Sequence, residues 1–181
     1  MAQTCSLADV TPYSVMYKVV SLISVVILML STPLWAANGE AMQRGEYKWI
    51  KKTTRKMSLT AAVLAIVASV ALFILIKPAL HILSDDMIAP DYHLLLAMCL
   101  MQIITAFTSP YFMVLNAAGI VKYQIVIYAV YALISLSLKY ILGARFGMLA
   151  ITWTGTVTYL FLLTVPTVFK AMRFVRSKLD E

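Results

Sequence analysis

Charged side chains divide the chain into long apolar stretches. Five intervals contain no Asp, Glu, Lys or Arg and lie between Lys18 and Glu40, Lys56 and Lys77, Asp91 and Lys122, Lys122 and Lys139, and Arg145 and Lys170. A helix needs about 20 mostly apolar residues to cross a bilayer, and four of these intervals reach or exceed that length. The pattern therefore predicts five membrane-spanning helices, over residues 13–37, 56–80, 92–115, 123–142 and 148–169.

The residues outside these spans define the rest of the chain. We assign 1–12 to an N-terminal segment on the outer side and 13–181 to the membrane domain. Within that domain, 38–56 forms a basic loop between the first two spans and 170–181 a basic tail.

Single residues at the predicted helix ends add local detail. Pro12 suits the first turn of the first helix, and Pro33 predicts a kink in its last turns. Asp91 directly precedes the third span and is expected to cap it. Pro110 lies inside that span, which favours a helix surrounded by others or lining a cavity. The segment 143–147 is expected to be a tight outer turn that holds Arg145.

Composition places the chain in the membrane. It is 62% hydrophobic and 13% charged, whereas a soluble domain is about 45–50% apolar and about 25% charged. The class is therefore an all-α integral membrane protein. The net charge is +7, but the cations flank apolar runs and face anionic lipid headgroups, so membrane lipids rather than nucleic acid are the expected partners.

The cations also predict an orientation. With 38–56 in the cytoplasm, 11 Lys and Arg lie on the inner side and 4 on the outer side, which is the asymmetry of the positive-inside rule. The inner set is Arg44, Lys48, Lys51, Lys52, Arg55, Lys56, Lys122, Lys170, Arg173, Arg176 and Lys178, and the outer set is Lys18, Lys77, Lys139 and Arg145. Five spans then put the N-terminus outside and the C-terminus in the cytoplasm.

The chain contains none of several sequence motifs that indicate nucleotide binding or hydrolysis. There is no Gly-x-x-x-x-Gly-Lys-Ser/Thr, no His-Glu-x-x-His and no Gly-x-Ser-x-Gly, so ATP coupling and the corresponding hydrolases are not expected. The charge-free intervals lack the carboxylates that a membrane acid–base enzyme requires. Cys5 and Cys99 form no Cys-x-x-Cys pair and predict neither a disulfide nor a zinc site. We predict no catalytic residue, metal or cofactor.

One outer cluster has two interpretations. His81, Asp85, Asp86, Asp91 and His93 lie around the connection between the second and third spans. They are compatible with a divalent-cation site or with a solvated turn that ends in a helix cap. The second interpretation is favoured.

Four segments together resemble a known family. The stretch 33–56, PLWAANGEAMQRGEYKWIKKTTRK, is similar to a Pro-Leu-Trp, Glu-Ala, Arg-Gly-Glu, Trp-Ile-Lys-Lys-Thr motif of bacterial polysaccharide transport proteins. Residues 11–23, 116–128 and 138–147 resemble further segments of the same proteins in the same order. The family is the Wzx-type O-antigen and capsule flippases of the MATE-like flippase superfamily.

This resemblance implies a fold and a function. Such proteins have two lobes of helices around a central cavity and move an undecaprenyl-diphosphate-linked oligosaccharide across the bacterial inner membrane. The five spans resemble the last five of the family, a partial second lobe. We expect a fragment, a truncated gene product, or a chain whose missing N-terminal lobe is supplied separately. The alternative is a non-transporting membrane scaffold or a degenerate remnant of such a flippase.

The resemblance also suggests substrate-binding residues. Gln102 and Asn116, with Thr105, Thr108 and Ser109, could line a path for sugars or could form hydrogen bonds between helices. Lys18, Lys77 and Lys139 could attract the lipid diphosphate or could extend to phospholipid headgroups. Lys18 is singled out because it is the only cation of the first span above the inner loop.

Overall fold

The protein is an assembly of helices. The computed structural model describes the backbone of residues 7–84 and 91–180 and the side chains of 13–78, 80–81 and 91–180. Every regular element in these ranges is helical. The helices are α1 (Leu7–Ser31), α2 (Pro33–Gln43), α3 (Tyr47–Ser84), α4 (Tyr92–Ala117), α5 (Val121–Tyr159) and α6 (Val165–Ser177), and a π-helical turn, Leu160–Thr164, joins α5 to α6.

Four helical stretches in the described ranges are long and apolar enough to cross a membrane, where the sequence predicts five. They are Tyr13–Gln43, Tyr47–Pro78, Tyr92–Ala117 and Val121–Ser177. The difference lies in the last stretch, which contains both of the last two predicted spans. Its 57 residues would make a straight helix of about 85 Å, nearly three times the thickness of the hydrocarbon core. The stretch therefore cannot cross a bilayer as one straight rod.

The chain changes direction at Gly147. This residue has φ 73° and ψ −160°, a conformation that other residues rarely adopt because of their Cβ atoms. Three contacts join residues on opposite sides of Gly147: Lys139 with Gly155, Tyr131 with Tyr159, whose ring centroids are 5.8 Å apart, and Tyr123 with Pro166, whose carbonyl accepts a 3.1 Å hydrogen bond from the tyrosine hydroxyl. Residues 121–177 thus form an antiparallel pair of limbs, which we call the α5 hairpin. The turn predicted over 143–147 is narrower than expected, because helix continues up to Gly147.

The first predicted span differs at both ends. The chain is already helical at Leu7, the first described residue, so Pro12 lies beyond the first turn and part of the predicted 1–12 segment is helical. The kink predicted at Pro33 lies where α1, which ends at Ser31, meets α2, whose first residue is Pro33; Thr32 between them keeps helical dihedrals, with φ −58° and ψ −43°. Proline has no N–H to continue the hydrogen bonds of α1, yet it fits the start of a new helix.

The loop predicted over 38–56 is wrong for most of its length. Helix α2 continues to Gln43 and α3 begins at Tyr47, which leaves only 44–46 as a turn, with Gly45 at φ 72°. Lysine, arginine and glutamate are good helix formers. A search for charge-free intervals detects the part of a helix that lies in lipid and misses its charged continuation.

Helix α4 is the centre of the bundle and contacts each of the other helices. It starts at the predicted residue and ends two residues beyond the predicted limit. The predicted cap is confirmed, since Asp91 Oδ1 accepts hydrogen bonds from the backbone N–H groups of His93 and Leu94 at 2.9 and 3.1 Å. These bonds satisfy two of the amide groups that a helix start leaves without partners.

Candidate functional site

A polar cavity lies between α1, α4 and the α5 hairpin. Its volume is about 480 Å³, within the range of small-molecule sites in proteins. The wall carries one lysine, four tyrosines, a glutamine and several hydroxyl groups, and no carboxylate among the described residues that line it. Apolar walls with a few convergent polar groups are typical of ligand sites.

Lys139 supplies the positive charge of the cavity. Its side chain is half-buried and turns towards the opposite limb of the hairpin, where its Nζ lies 3.1 Å from the point at which a Cβ on Gly155 would stand. The absent side chain of Gly155 therefore leaves the space that the lysine occupies. No carboxylate in the described part of the chain forms an ion pair with Lys139. The lysine therefore lines the cavity.

Gln102 is buried on the α4 side of the cavity. Its Oε1 accepts a hydrogen bond of 2.5 Å from Ser24 Oγ of α1, which fixes the orientation of the amide between the two helices. Its Nε2 donates to no residue in the described ranges. A fixed amide with an available donor can hydrogen-bond a ligand oxygen.

Two pairs of tyrosines line the cavity. Tyr13 and Tyr17 stack along α1, with centroids 6.1 Å apart and planes at 8°. Tyr131 and Tyr159 meet edge to face across the hairpin, at 5.8 Å and 87°. The rings therefore present flat apolar faces together with hydroxyl groups.

Threonines complete the polar wall and join it to the backbone. Thr156 Oγ1 donates to the carbonyl of Ala97 on α4 at 3.0 Å, and Thr152 Oγ1 donates within its own helix to Met148 at 3.1 Å. Thr105 Oγ1 donates to the carbonyl of its own helix at Met101. Each hydroxyl proton is thus engaged, while the oxygen can still accept a hydrogen bond from a ligand.

The structure brings together two of the five predicted binding residues. Gln102 and Lys139 line the cavity, whereas Lys18, Lys77 and Asn116 do not. Lys18 is exposed because it comes one position after Tyr17, which turns it about 100° away from the cavity face of α1. Lys77 is also exposed, and the Asn116 amide lies near its own helix, 3.9 Å from Met113 Sδ.

The polar residues of α4 that were predicted to line a sugar path or to form hydrogen bonds between helices include examples of both. Thr105 lines the cavity together with Gln102. Thr108 instead forms a hydrogen bond between helices, with its Oγ1 2.9 Å from that of Thr164. Ser109 does not line the cavity.

The four tyrosines were not predicted from the sequence. Tyr13 and Tyr17 are four residues apart, a spacing that puts both on one face of a helix. This signal is weak, since the chain has ten tyrosines. Nothing local identifies Tyr131 and Tyr159, because only the reversal at Gly147 brings them together.

The outer acidic cluster remains untested as a metal site. Asp85 and Asp86 lie outside the described residues. Within the described ranges, no group of three or more His, Cys, Asp or Glu side chains is placed to hold a metal ion. Cys99 is buried and forms no disulfide within the described residues, and Cys5 lies outside them.

Apolar helices packed around a polar cavity define a multi-pass membrane protein of the transporter class. The MatE family model matches residues 1–141, which is most of the chain, and the chain belongs to the MatE family. Members of this family are membrane transporters rather than enzymes. Searches of the curated proteins and of the solved structures find no match.

Proposed function

We propose that the chain is part of a transporter that moves an undecaprenyl-diphosphate-linked oligosaccharide across the bacterial inner membrane. The observation that carries the proposal is the cavity, which combines one cation with tyrosines, an amide and hydroxyls. Each group has a counterpart in that substrate, which is an anionic diphosphate attached to a sugar chain.

The charge of the cavity supports an anionic substrate. Lys139 is half-buried and has no carboxylate partner in the described chain. An unpaired charge interacts more strongly with an opposite charge where water is scarce. A diphosphate would therefore gain from entering the cavity, whereas an organic cation would be repelled by the lysine.

The uncharged groups support a sugar. Tyrosine rings such as Tyr17 and Tyr131 present flat apolar faces against which a pyranose can pack. Gln102 and Thr156 offer amide and hydroxyl groups to its hydroxyls. Hydrogen-bonding groups set in an aromatic wall provide both contact area and orientation.

We further propose five crossings, with the N-terminus outside and the C-terminus in the cytoplasm. The α5 hairpin supports this count, because each limb is long enough to cross a bilayer. One apolar cluster joins α2, α4, α6 and the start of α3 at one end of the bundle through Ala41, Ile50, Tyr111 and Val175. The 11 cations of the predicted inner side lie on segments that begin or end there, as expected for a cytoplasmic end.

The resemblance to flippases supports the proposal that these crossings form part of one lobe of a two-lobe transporter, completed by further helices. In a flippase-null strain, the 181-residue chain is expected to restore no surface polysaccharide alone. Co-expression with a matching N-terminal lobe is expected to restore it. Failure of co-expression, with both chains present in the membrane, would favour the scaffold alternative.

Binding to the purified chain tests the substrate directly. The probe is a synthetic undecaprenyl-diphosphate-linked oligosaccharide, titrated onto the chain in detergent micelles. Lys139→Gln is expected to weaken binding about tenfold or more, the size of a charge-assisted hydrogen bond, and Lys139→Arg to retain part of it. The matched control is Lys122→Gln, which removes an exposed lysine outside the cavity. Equal affinities for all four proteins would contradict the proposal.

A further inference from the structure

We propose that the first turns of α3 bind an anionic phospholipid that carries two phosphate groups. The site is a surface cavity of about 690 Å³ beside the start of the helix. Its wall consists of five cations of α3 and two leucines, Leu59 and Leu179. We call the five cations the cationic stripe: Lys48, Lys51, Lys52, Arg55 and Lys56. The inference does not depend on the transported substrate.

The spacing of the stripe places its charges on one side of α3. Successive members lie at positions i, i+3, i+4, i+7 and i+8, the pattern that lines one face of an α-helix. The opposite face of the same turns packs into the bundle through Ile50, Thr54 and Ser58, which are buried. The stripe therefore faces outward along about 12 Å of helix axis.

No carboxylate in the described chain neutralises the stripe. Glu40 and Asp180 form ion pairs with Arg44 and Arg176 at 3.6 and 4.0 Å, and Glu46, two residues before Lys48, forms no ion pair with the stripe in the described structure. Three pairs within the stripe are like charges four residues apart, an arrangement that destabilises a helix. A bound anion would reduce this repulsion. The positive charge of the site therefore favours a ligand with several negative charges.

The apolar continuation of the stripe identifies the ligand as a lipid. Below Lys56, the same side of α3 carries Leu59 and Val63, both exposed along the apolar body of the helix. Phosphates bound at the stripe would leave acyl chains to lie along these side chains. A nucleic acid or a polyglutamate peptide has no acyl chain that could follow α3 into the hydrocarbon layer, whereas a phospholipid carries acyl chains directly below its phosphates.

The number of cations favours two phosphates over one. A lipid with a single phosphate carries one negative charge against five cations spread over about 12 Å. A lipid with two phosphates joined by a short linker can contact both ends of the stripe at once. We therefore expect tetraoleoyl cardiolipin to bind more tightly than dioleoyl phosphatidylglycerol.

Native mass spectrometry of the full chain in detergent micelles tests this assignment. Cardiolipin is expected to bind about tenfold more tightly than phosphatidylglycerol. The triple variant Lys51→Gln, Lys52→Gln, Arg55→Gln should lose about 100-fold in cardiolipin affinity, at about a fivefold contribution per cation near an anionic surface. The matched control is Lys122→Gln, Arg145→Gln, Arg173→Gln, which removes three exposed cations outside the cavity and should change the affinity by less than about threefold if the stripe is the site.

Each other outcome overturns the assignment in its own way. Equal loss in the two triple variants would show attraction by net charge alone. Equal affinity for cardiolipin and phosphatidylglycerol would exclude the two-phosphate requirement. Tighter binding of undecaprenyl diphosphate or of a polyglutamate peptide would assign the stripe to another ligand. Because all six positions are exposed, circular dichroism is expected to show equal helix content in the two triple variants. If the helix content of a triple variant falls, the cardiolipin affinities of its three single variants are measured instead.

Discussion

Helix α4 and the first limb of the α5 hairpin, residues 121–146, are alike in length and opposite in environment. Each has 26 residues. Along α4, 13 side chains are buried, whereas Ser135 and Gly143 are the only buried residues of the limb. Large apolar side chains such as Leu133 and Leu136 of the limb are exposed. The central helix carries no Lys, Arg, Asp or Glu, whereas the peripheral limb carries Lys122, Lys139 and Arg145 beside its exposed apolar side chains.

The difference in burial between α4 and the limb is possible because lipid, rather than water, surrounds the helices. Lipid tails accept apolar side chains as readily as a protein interior does, so hydrophobicity alone draws no helix inward. Helix α4 contains Gln102, whose buried amide lipid cannot hydrogen-bond, and Thr108, whose Oγ1 lies 2.7 Å from the Ile104 carbonyl of the same helix. Ser24 of α1 donates to Gln102, and Thr164 of the π-helical turn forms a further hydrogen bond with Thr108. In lipid, such bonds between helices contribute to packing where apolar contact alone draws no helix inward.

Labelling of introduced cysteines tests whether the α5 hairpin crosses the membrane twice while α4 crosses it once. In a Cys5→Ser background, Arg145→Cys should react with a membrane-impermeant thiol reagent in intact cells. Lys51→Cys and Lys122→Cys should react only after the cells are opened. The expected effect is all or none, because Gly147 puts Arg145 at the far end of the bundle. Protection of Arg145→Cys in intact cells would contradict both the second crossing and the orientation.

The same substitution, leucine to alanine, can be made in the buried helix α4 and in the exposed limb, so that only the environment differs. Leu95 of α4 is 0% exposed and Leu133 of the limb is 70% exposed. Leu95→Ala should cost about 2–4 kcal/mol, because it leaves a cavity among packed side chains. Leu133→Ala should cost less than about 1 kcal/mol, because lipid fills the space. Reversible unfolding in mixed detergent and SDS micelles measures both, and equal costs would place the limb in a protein interface instead.

Filling the space at Gly155 tests the link between the hairpin and the cavity. Gly155→Leu should displace the Lys139 ammonium group and weaken binding of the lipid-linked oligosaccharide about tenfold, or about 1.4 kcal/mol. Gly39→Leu is the matched control, since a side chain at Gly39 would meet open space. Undiminished binding by Gly155→Leu would show that the position of Lys139 does not matter.

The smallest expected effect concerns the hydrogen bonds of α4. A double-mutant cycle of Thr108→Val and Thr164→Val should give a coupling of about 0.6 kcal/mol, the average for such bonds between membrane helices. Ser137 of the limb donates within its own helix to Leu133, and Ser137→Ala should change the unfolding free energy by less than about 0.3 kcal/mol. A coupling near zero would show that this bond does not help to hold α4 in place.

Sequence reasoning recovered the features that local chemistry determines. The start of α4 and its Asp91 cap are predictable from a charged residue next to a long apolar run. The helical content of 47–56 was missed, because charge marks the edge of the lipid and not the end of a helix. The inward position of Lys139 depends on Gly155, 16 residues later. Such a contact arises only from the reversal at Gly147, so the cavity could not be assembled from the sequence pattern.

The π-helical turn Leu160–Thr164 has a consequence for the evolution of this chain. Such a turn holds one residue more than an α-helical turn, and each residue rotates the remainder of the helix by about 100°. Loss of a single codon within this turn would leave a continuous α-helix and rotate α6 by that angle. Ala171 and Val175, now buried, would then face outward. Descendants of this chain should therefore tolerate substitutions in the turn far better than a one-residue deletion, unless a residue is inserted nearby to restore the face of α6.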